Sequence, residues 1–344
     1  MERKIKKVIN NDNNYSKSPN RRPKIGLCLG SGSAKGLAHI GVLKVLHKNK
    51  IYPDYIAGTS IGAAIAALYA SGHTPEEIEE ISKNLDWNNI IDFDIPKFGL
   101  IKGDNVEEII RNLIKNKKFS DLNIPLNVIA YNLSKKKEII FSQGDVAKAV
   151  HASMCIPGIF SPTKIDNDFY VDGGVSNPAP FDILKKMGAE IIIAVDIYGE
   201  EKISTNTTLK EKDLFINLKE KMIRDELLNI KNYIMPQRWP NFTLKIISWI
   251  YDKLLYPARV LKMIAKINPP PITGIMYEVI KVLMNNLALE KFKQGNIDIK
   301  VTPNLEKLTW YDFDKTEEFV KLGEEAMQKK LSLLKDKIRN HNHL

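Results

Sequence analysis

Ser60 stands between two glycines in Gly58-Thr59-Ser60-Ile61-Gly62, after the apolar pair Ile56-Ala57 and before a run of small residues. Glycines flanking a serine allow a sharp strand-to-helix bend that pushes the hydroxyl outward, as a nucleophile requires. The helix that follows turns its positive N-terminal end toward charge developing beside Ser60. A second glycine-rich loop, Gly30-Ser31-Gly32-Ser33-Ala34-Lys35-Gly36, also joins an apolar run to a helical pattern, so its backbone N–H groups can face an anion. Dinucleotide binding fits it poorly. The spacing Gly30-x-Gly32-x-x-x-Gly36 is one residue too long, and the next strand ends in Ser60 rather than in a ribose-binding acid. A phosphate loop needs Gly-Lys-Ser/Thr, where this chain has Lys35-Gly36-Leu37. The other use of such a loop is an oxyanion hole, which requires a nucleophile on a neighbouring strand end.

A serine nucleophile needs a base. The chain has six histidines, and only His341 and His343 follow the acids near Asp172, as serine–acid–histidine order would demand. Both lie at the very C-terminus, where chains fray. A carboxylate is the better base. Asp172, in Val171-Asp172-Gly173-Gly174, sits at a strand end where glycines let backbone approach closely. Capping of a turn is the competing role for Asp172, and Asp196 is a weaker rival base.

The pattern around these residues is that of alternating strands and helices. Lys24 to Leu29 is a continuous apolar run, which predicts a strand buried on both faces. Apolar residues at Leu37, Ile40, Leu43 and Leu46 predict a helix. Asp54 to Ser60 reads as the second strand and Ile61 to Ser71 as the second helix. Thr74-Pro75-Glu76-Glu77 then has the form of a capped helix start. Further strands are predicted at Pro125 to Leu133, Glu138 to Ser142, Phe169 to Asp172, Glu190 to Ile197 and Ile297 to Val301. Helices are predicted at Asp145 to Ser153, Pro180 to Met187 and Lys315 to Leu334. This grammar implies an α/β fold with a mostly parallel sheet covered on both sides.

Composition sets outer bounds. The 344 residues suffice for one large domain, and two cysteines, Cys28 and Cys155, in apolar surroundings suit a reducing, cytoplasmic compartment. Residues 1–23 are polar and basic, without the apolar core of a secretory signal, and read as a disordered tail. No run of eighteen uncharged apolar residues predicts a membrane span. The net charge of +10 fits an anionic membrane surface, whereas no zinc-finger or RNA-binding signature accompanies it, so no nucleic-acid partner is expected.

Leu29-Gly30-Ser31-Gly32-Ser33-Ala34-Lys35-Gly36 with Leu37 to Leu43, then Gly58-Thr59-Ser60-Ile61-Gly62, then Asp172-Gly173-Gly174, resembles the patatin-like phospholipase family in wording and order. Ala152 to Phe160 is similar to the loop that precedes the family's aspartate. The resemblance spans about residues 24–198. It implies a three-layer α/β/α patatin-like fold with a helical C-terminal insertion or extension. It also implies a lipid acyl hydrolase of the phospholipase A or lysophospholipase type, without cofactor or metal. Carried over by position, Ser60 is the nucleophile and Asp172 its base. Gly58 and Gly62 form the nucleophile elbow, Gly173 and Gly174 the acid motif, and Ser31, Gly32, Ser33 and Lys35 line the oxyanion hole. Other carboxylester hydrolysis, lipid acyl transfer, or a degenerate membrane-surface adaptor are the alternatives on the same scaffold.

Three departures stand out. Ser31 and Ser33 replace the usual glycines, Lys35 the usual arginine, and His151 another arginine. Added side chains restrict φ, and lysine lacks the bidentate fork. His151 reads as a packing residue. The domain reading is a core over 24–200, a helical lid or membrane-facing region over 201–295, and a strand and helix over 296–344 that complete the core. Within the middle region, 245–266 interleaves apolar and basic residues. It reads equally as a helix on an anionic membrane surface, giving peripheral attachment, or as core packing. Met276 to Leu289 reads as a lid or acyl-chain wall.

Overall fold

The computed structural model describes residues 22–85, 103–199, 272–310 and 312–341. The tail at 1–21 and the basic stretch 245–266 therefore lie outside the described residues.

The run Ile25–Leu29 forms β1, with every residue buried because both its faces are covered. Leu27 and Leu29 face one core, built with α1 (Ala38–Lys48), α2 (Ile61–Ser71) and α8 (Thr316–His341). Cys28 faces the other, built with α6 (Phe181–Met187) and Phe292 of α7 (Ile272–Gln294). These are the outer layers of an α/β/α sandwich. The remaining described helices are α3 (Pro75–Asn84), α4 (Asp104–Leu113) and α5 (Val146–Met154). Helix α3 opens as its sequence dictates. Thr74 Oγ1 accepts from Glu77 N–H at 3.2 Å, Glu77 Oε2 accepts from Thr74 N–H at 2.8 Å, and Pro75 occupies the first turn.

The sheet holds β1, β2 (Tyr55–Thr59), β3 (Leu126–Asn132), β4 (Lys137–Phe141), β5 (Thr163–Ile165), β6 (Asp168–Asp172), β7 (Ile191–Val195) and β8 (Ile299–Val301). The run β3-β2-β1-β7-β8 is parallel throughout, while β4, β5 and β6 attach antiparallel. One detail of this register organises everything near Ser60. Val128 and Ile129 of β3 each pair with both β2 and β4, so those strands lie on opposite edges of β3. Ala130, Tyr131 and Asn132 each pair with both β4 and β6. Strands β2 and β6 therefore share one edge of β3 and run toward each other. Thr59, the last residue of β2, pairs with Ile129, and Asp172, the last of β6, pairs with Ala130.

Helix α4 is absent from the reading of the sequence, and two shorter elements also differ from it. Residues Ser33–Leu37 form a 3₁₀ turn ahead of α1, and the three-residue β5 pairs only with β6. Both are too short to carry a periodic signal.

Helices α1 and α8 meet at a pair of glycines. A Cβ on Gly41 would collide with the Val320 carbonyl, and one on Gly323 with the Ala38 carbonyl. Between them Phe319, Val320 and Met327 bury their side chains completely or nearly so. Gly41→Ala is expected to push the helices apart and cost about 1–3 kcal/mol, read as a lower urea midpoint at unchanged slope.

Candidate active site

Ser60 is the residue between β2 and α2, and it adopts φ 57°, ψ −127°. For a residue with a Cβ this is a strained conformation, of the kind found at functional turns. Gly58 packs against the Ala63 backbone and Gly62 against the carbonyls of Leu29 and Gly30, so the elbow abuts the end of β1. Asp172 meets it from β6. The Ser60 hydroxyl is near enough to the carboxylate to hold its pKa down, while Oδ2 has no well-aligned hydrogen-bond partner among the described residues. A loose contact of this sort is common in ligand-free sites and tightens with substrate. Gly173 is required at the meeting point, because a Cβ there would strike the Ile129 carbonyl.

Asp172 is fully buried, and burial pushes its pKa from 3.8 up to about 7, against the Ser60 hydroxyl and the Gly174 N–H, which pull it down. Gly174 N–H donates to Oδ1 at 2.7 Å, so Asp172 also caps the turn Gly173–Val175. The capping role foreseen for it is thus filled through Oδ1. Asp196 is otherwise engaged. Its Oδ1 accepts from the N–H groups of Tyr198 and Gly199, each at 3.1 Å, and Lys300 Nζ sits 2.8 Å from Oδ2.

The glycine loop lies across the end of β1. Ser31 N–H donates to Pro178 O and Ala34 N–H to Trp310 O, each at 2.9 Å. Between them the amides of Gly32 and Ser33 have no acceptor among the described residues, and both residues are partly exposed. Ser31 is fully buried, and its hydroxyl bonds to that of Tyr198. Ser33 has φ 52°, the left-handed region that disfavours a side chain, whereas Ser31 does not have a positive φ. Lys35 is half-buried in the 3₁₀ turn.

Further residues support the site. His39 is fully buried and donates from Nε2 to Gly30 O at 2.9 Å, fixing the loop's first carbonyl. Burial lowers its pKa to about 4 despite that bond. His151 is a charge partner rather than mere packing. Its Nδ1 lies 3.3 Å from Glu107 Oε2, and its contacts with Cys155 and Glu107 outweigh burial to push it up to about 10. The same contact, with Arg111, pulls Glu107 down to about 2. Helix α7 covers the site from the other side. A Cβ added to Gly174 would collide with the Met284 methyl and would lie 2.9 Å from Ser31 Oγ and 3.0 Å from Asp172 Oδ1, so these groups crowd one spot. Lys291 ties the helix down through Asn177 Oδ1 at 2.5 Å and Asp182 Oδ1 at 2.6 Å.

Residues 27–185 match the patatin-like phospholipase family. An uncharacterized NTE family protein of Mycobacterium tuberculosis is 31% identical over 182 residues, 52% of this chain and 50% of that one. Human patatin-like phospholipase domain-containing protein 6 is 30% identical over 191 residues, 53% of this chain and 14% of that one. The aligned region thus spans about half the length of the mycobacterial relative and a small part of the human one. Among solved structures, VipD from Legionella pneumophila superposes with a TM-score of 0.50 at 14% identity, over 91% of this chain and 67% of that one, a likeness of fold. Over residues 27–185, a little under half of the chain, the protein thus matches the patatin-like phospholipase family.

Proposed function

We propose that this protein is a lipid acyl hydrolase of the phospholipase A or lysophospholipase type, working through a Ser60–Asp172 dyad. The observation that carries the reading is the meeting of two strand ends, which brings a strained serine to a desolvated carboxylate, near a loop whose Gly32 and Ser33 amides have no acceptor among the described residues. Family membership supports a lipid substrate.

Ser60 Oγ attacks the ester carbonyl carbon and passes its proton to Asp172. The oxyanion lies against the N–H groups of Gly32 and Ser33, with the start of α2 adding its dipole. The proton then goes to the leaving alkoxide as the C–O bond breaks. Water attacks the acyl-serine, Asp172 takes a proton and returns it to Ser60 Oγ, and the fatty acid departs. A buried carboxylate suits this cycle because its pKa is near the working pH, where a general base transfers protons efficiently. Met284, and the α7 helix behind it, form a wall for the acyl chain. Lipid reaches the site from a membrane surface, approached by the basic exterior. Among the described residues no helix is long and apolar enough to cross a membrane.

Ser60→Ala is expected to reduce fatty acid release from phospholipid or lysophospholipid vesicles at least 10³-fold, with the circular dichroism spectrum unchanged. Retention of wild-type turnover would refute the dyad.

Asp172 gives a second expectation, with opposite signs for activity and stability. Its base form is needed, so kcat/KM should rise through an apparent pKa near 7 and level off above it. Its folded pKa is raised, so the folded protein loses stability as pH rises from about 4 through about 7. Asp172→Asn should therefore be inactive yet melt higher than wild type at pH 8, with the gap closing below pH 5. Calorimetry across that range checks it.

A further inference from the structure

The ladder between β2 and β3 follows a simple rule. Ile56 pairs with Leu126, and its N–H donates to Pro125 O, the carbonyl one residue earlier, at 3.0 Å. Extended by four residues, the rule sends Ser60 N–H to Ile129 O. That rung is not made directly. Ser60 N–H donates instead to Ser153 Oγ at 2.8 Å, and Ser153 Oγ donates to Ile129 O at 2.5 Å. A single hydroxyl is inserted where the ladder would close.

The consequence is geometric. Spacing the two backbone groups by one oxygen moves Ser60 off the edge of β3 at the position where Asp172, paired with Ala130, enters the same edge. The inserted hydroxyl also satisfies an amide and a carbonyl that the break would leave buried and unpaired, which is costly for each group. Ser153 belongs to α5, is completely buried, and is separated from solvent by the strand ends it joins. Its helix is fixed in turn by Asp145, which caps Lys148 N–H at 3.1 Å and pairs with Arg111 at 2.7 Å.

From this bridged rung we infer that Ser153 is a positioning residue for the nucleophile: its hydroxyl holds the Ser60 backbone in the strained conformation that points Oγ at Asp172. The inference rests on Ser60 being the nucleophile. Ser153 touches no substrate and moves no proton out of the site. Without the bridge, Ser60 has two relaxations open to it, closing the direct rung to Ile129 or adopting an unstrained φ. Either takes Oγ away from the carboxylate, and displacements on the order of 1 Å at a reacting atom cost about 10²-fold in rate.

The test compares wild type, Ser60→Ala, Ser153→Ala and Ser153→Cys, all below their melting temperatures. Cysteine keeps the buried volume while offering only a weak hydrogen bond, so it serves where alanine leaves an unstable cavity. The readouts are the rate of labelling by a fluorophosphonate probe and kcat and KM for lysophospholipid hydrolysis. Expected are wild-type labelling that Ser60→Ala abolishes, labelling slowed roughly 10- to 100-fold in both Ser153 variants, and the loss confined to kcat with KM within twofold. The pH midpoint near 7 should stay in place while the plateau falls, since Ser153 does not titrate. Wild-type rates in a folded Ser153→Cys and Ser153→Ala would overturn the inference and leave the dyad standing. Absence of Ser60-dependent labelling in wild type would overturn the dyad, and the inference with it.

Discussion

Two strands of opposite direction cannot share one edge of a third without a gap where their ends meet. In this protein the gap falls between Ile129 and Ala130 of β3. Backbone groups at such a break lose their ladder partners and are buried, so the chain must supply others. It does so with Ser153 at the Ser60 amide, with Thr59 Oγ1 donating to Asn177 O at 2.9 Å, and with Asp172 N–H donating to Cys155 O at 2.8 Å. The reactive geometry is what remains once these demands are met. Ser60 turns out of the sheet because the edge ahead of it is taken.

The electrostatics follow from the same gap. Asp172 lies where the end of β6 meets the end of β2 on β3, and no cation appears among the influences on its pKa. Desolvation dominates, opposed only by one hydroxyl and one amide. The contrast with Asp196 is instructive. It also ends a strand and is also buried, yet two amides and Lys300 hold its carboxylate. Of two strand-end aspartates, one is met by two amides and a lysine, the other by one amide and one hydroxyl.

Local signals made much of this legible in the sequence. β1 was visible because a strand buried on both faces is apolar at every position, and α3 because its capping box and first-turn proline are adjacent in the chain. Ser60 and Asp172 were visible through their glycines. What stayed hidden depends on contacts between distant residues. Ser153 is 93 residues from Ser60, and nothing in its own neighbourhood marks the hydroxyl as part of a rung. Pro178 takes the Ser31 amide from 147 positions away, which leaves those of Gly32 and Ser33 without an acceptor among the described residues. His151 looked like packing because Glu107, its counter-charge, lies 44 residues upstream.

The two serines in the glycine loop show how local composition and tertiary context divide the work. Ser31 adds a hydroxyl to a fully buried position, which would be costly unpaired, and Tyr198 absorbs it. Tyr198 is itself held by Asp196 through its own amide, and burial raises its phenol far above the ordinary value, so the pair stays neutral beside Asp172. Ser33 is different. Its φ of 52° carries a cost of about 1 kcal/mol that glycine would avoid. Relaxing it would reorient the Ser33 amide, which has no acceptor among the described residues. Its neighbours prevent this: Ala34 N–H is anchored on Trp310 O, and Gly36 is packed against Ile61 at the start of α2. The loop is thus clamped on both sides of a strained residue, one clamp supplied by the C-terminal segment and the other by the helix that begins after Ser60.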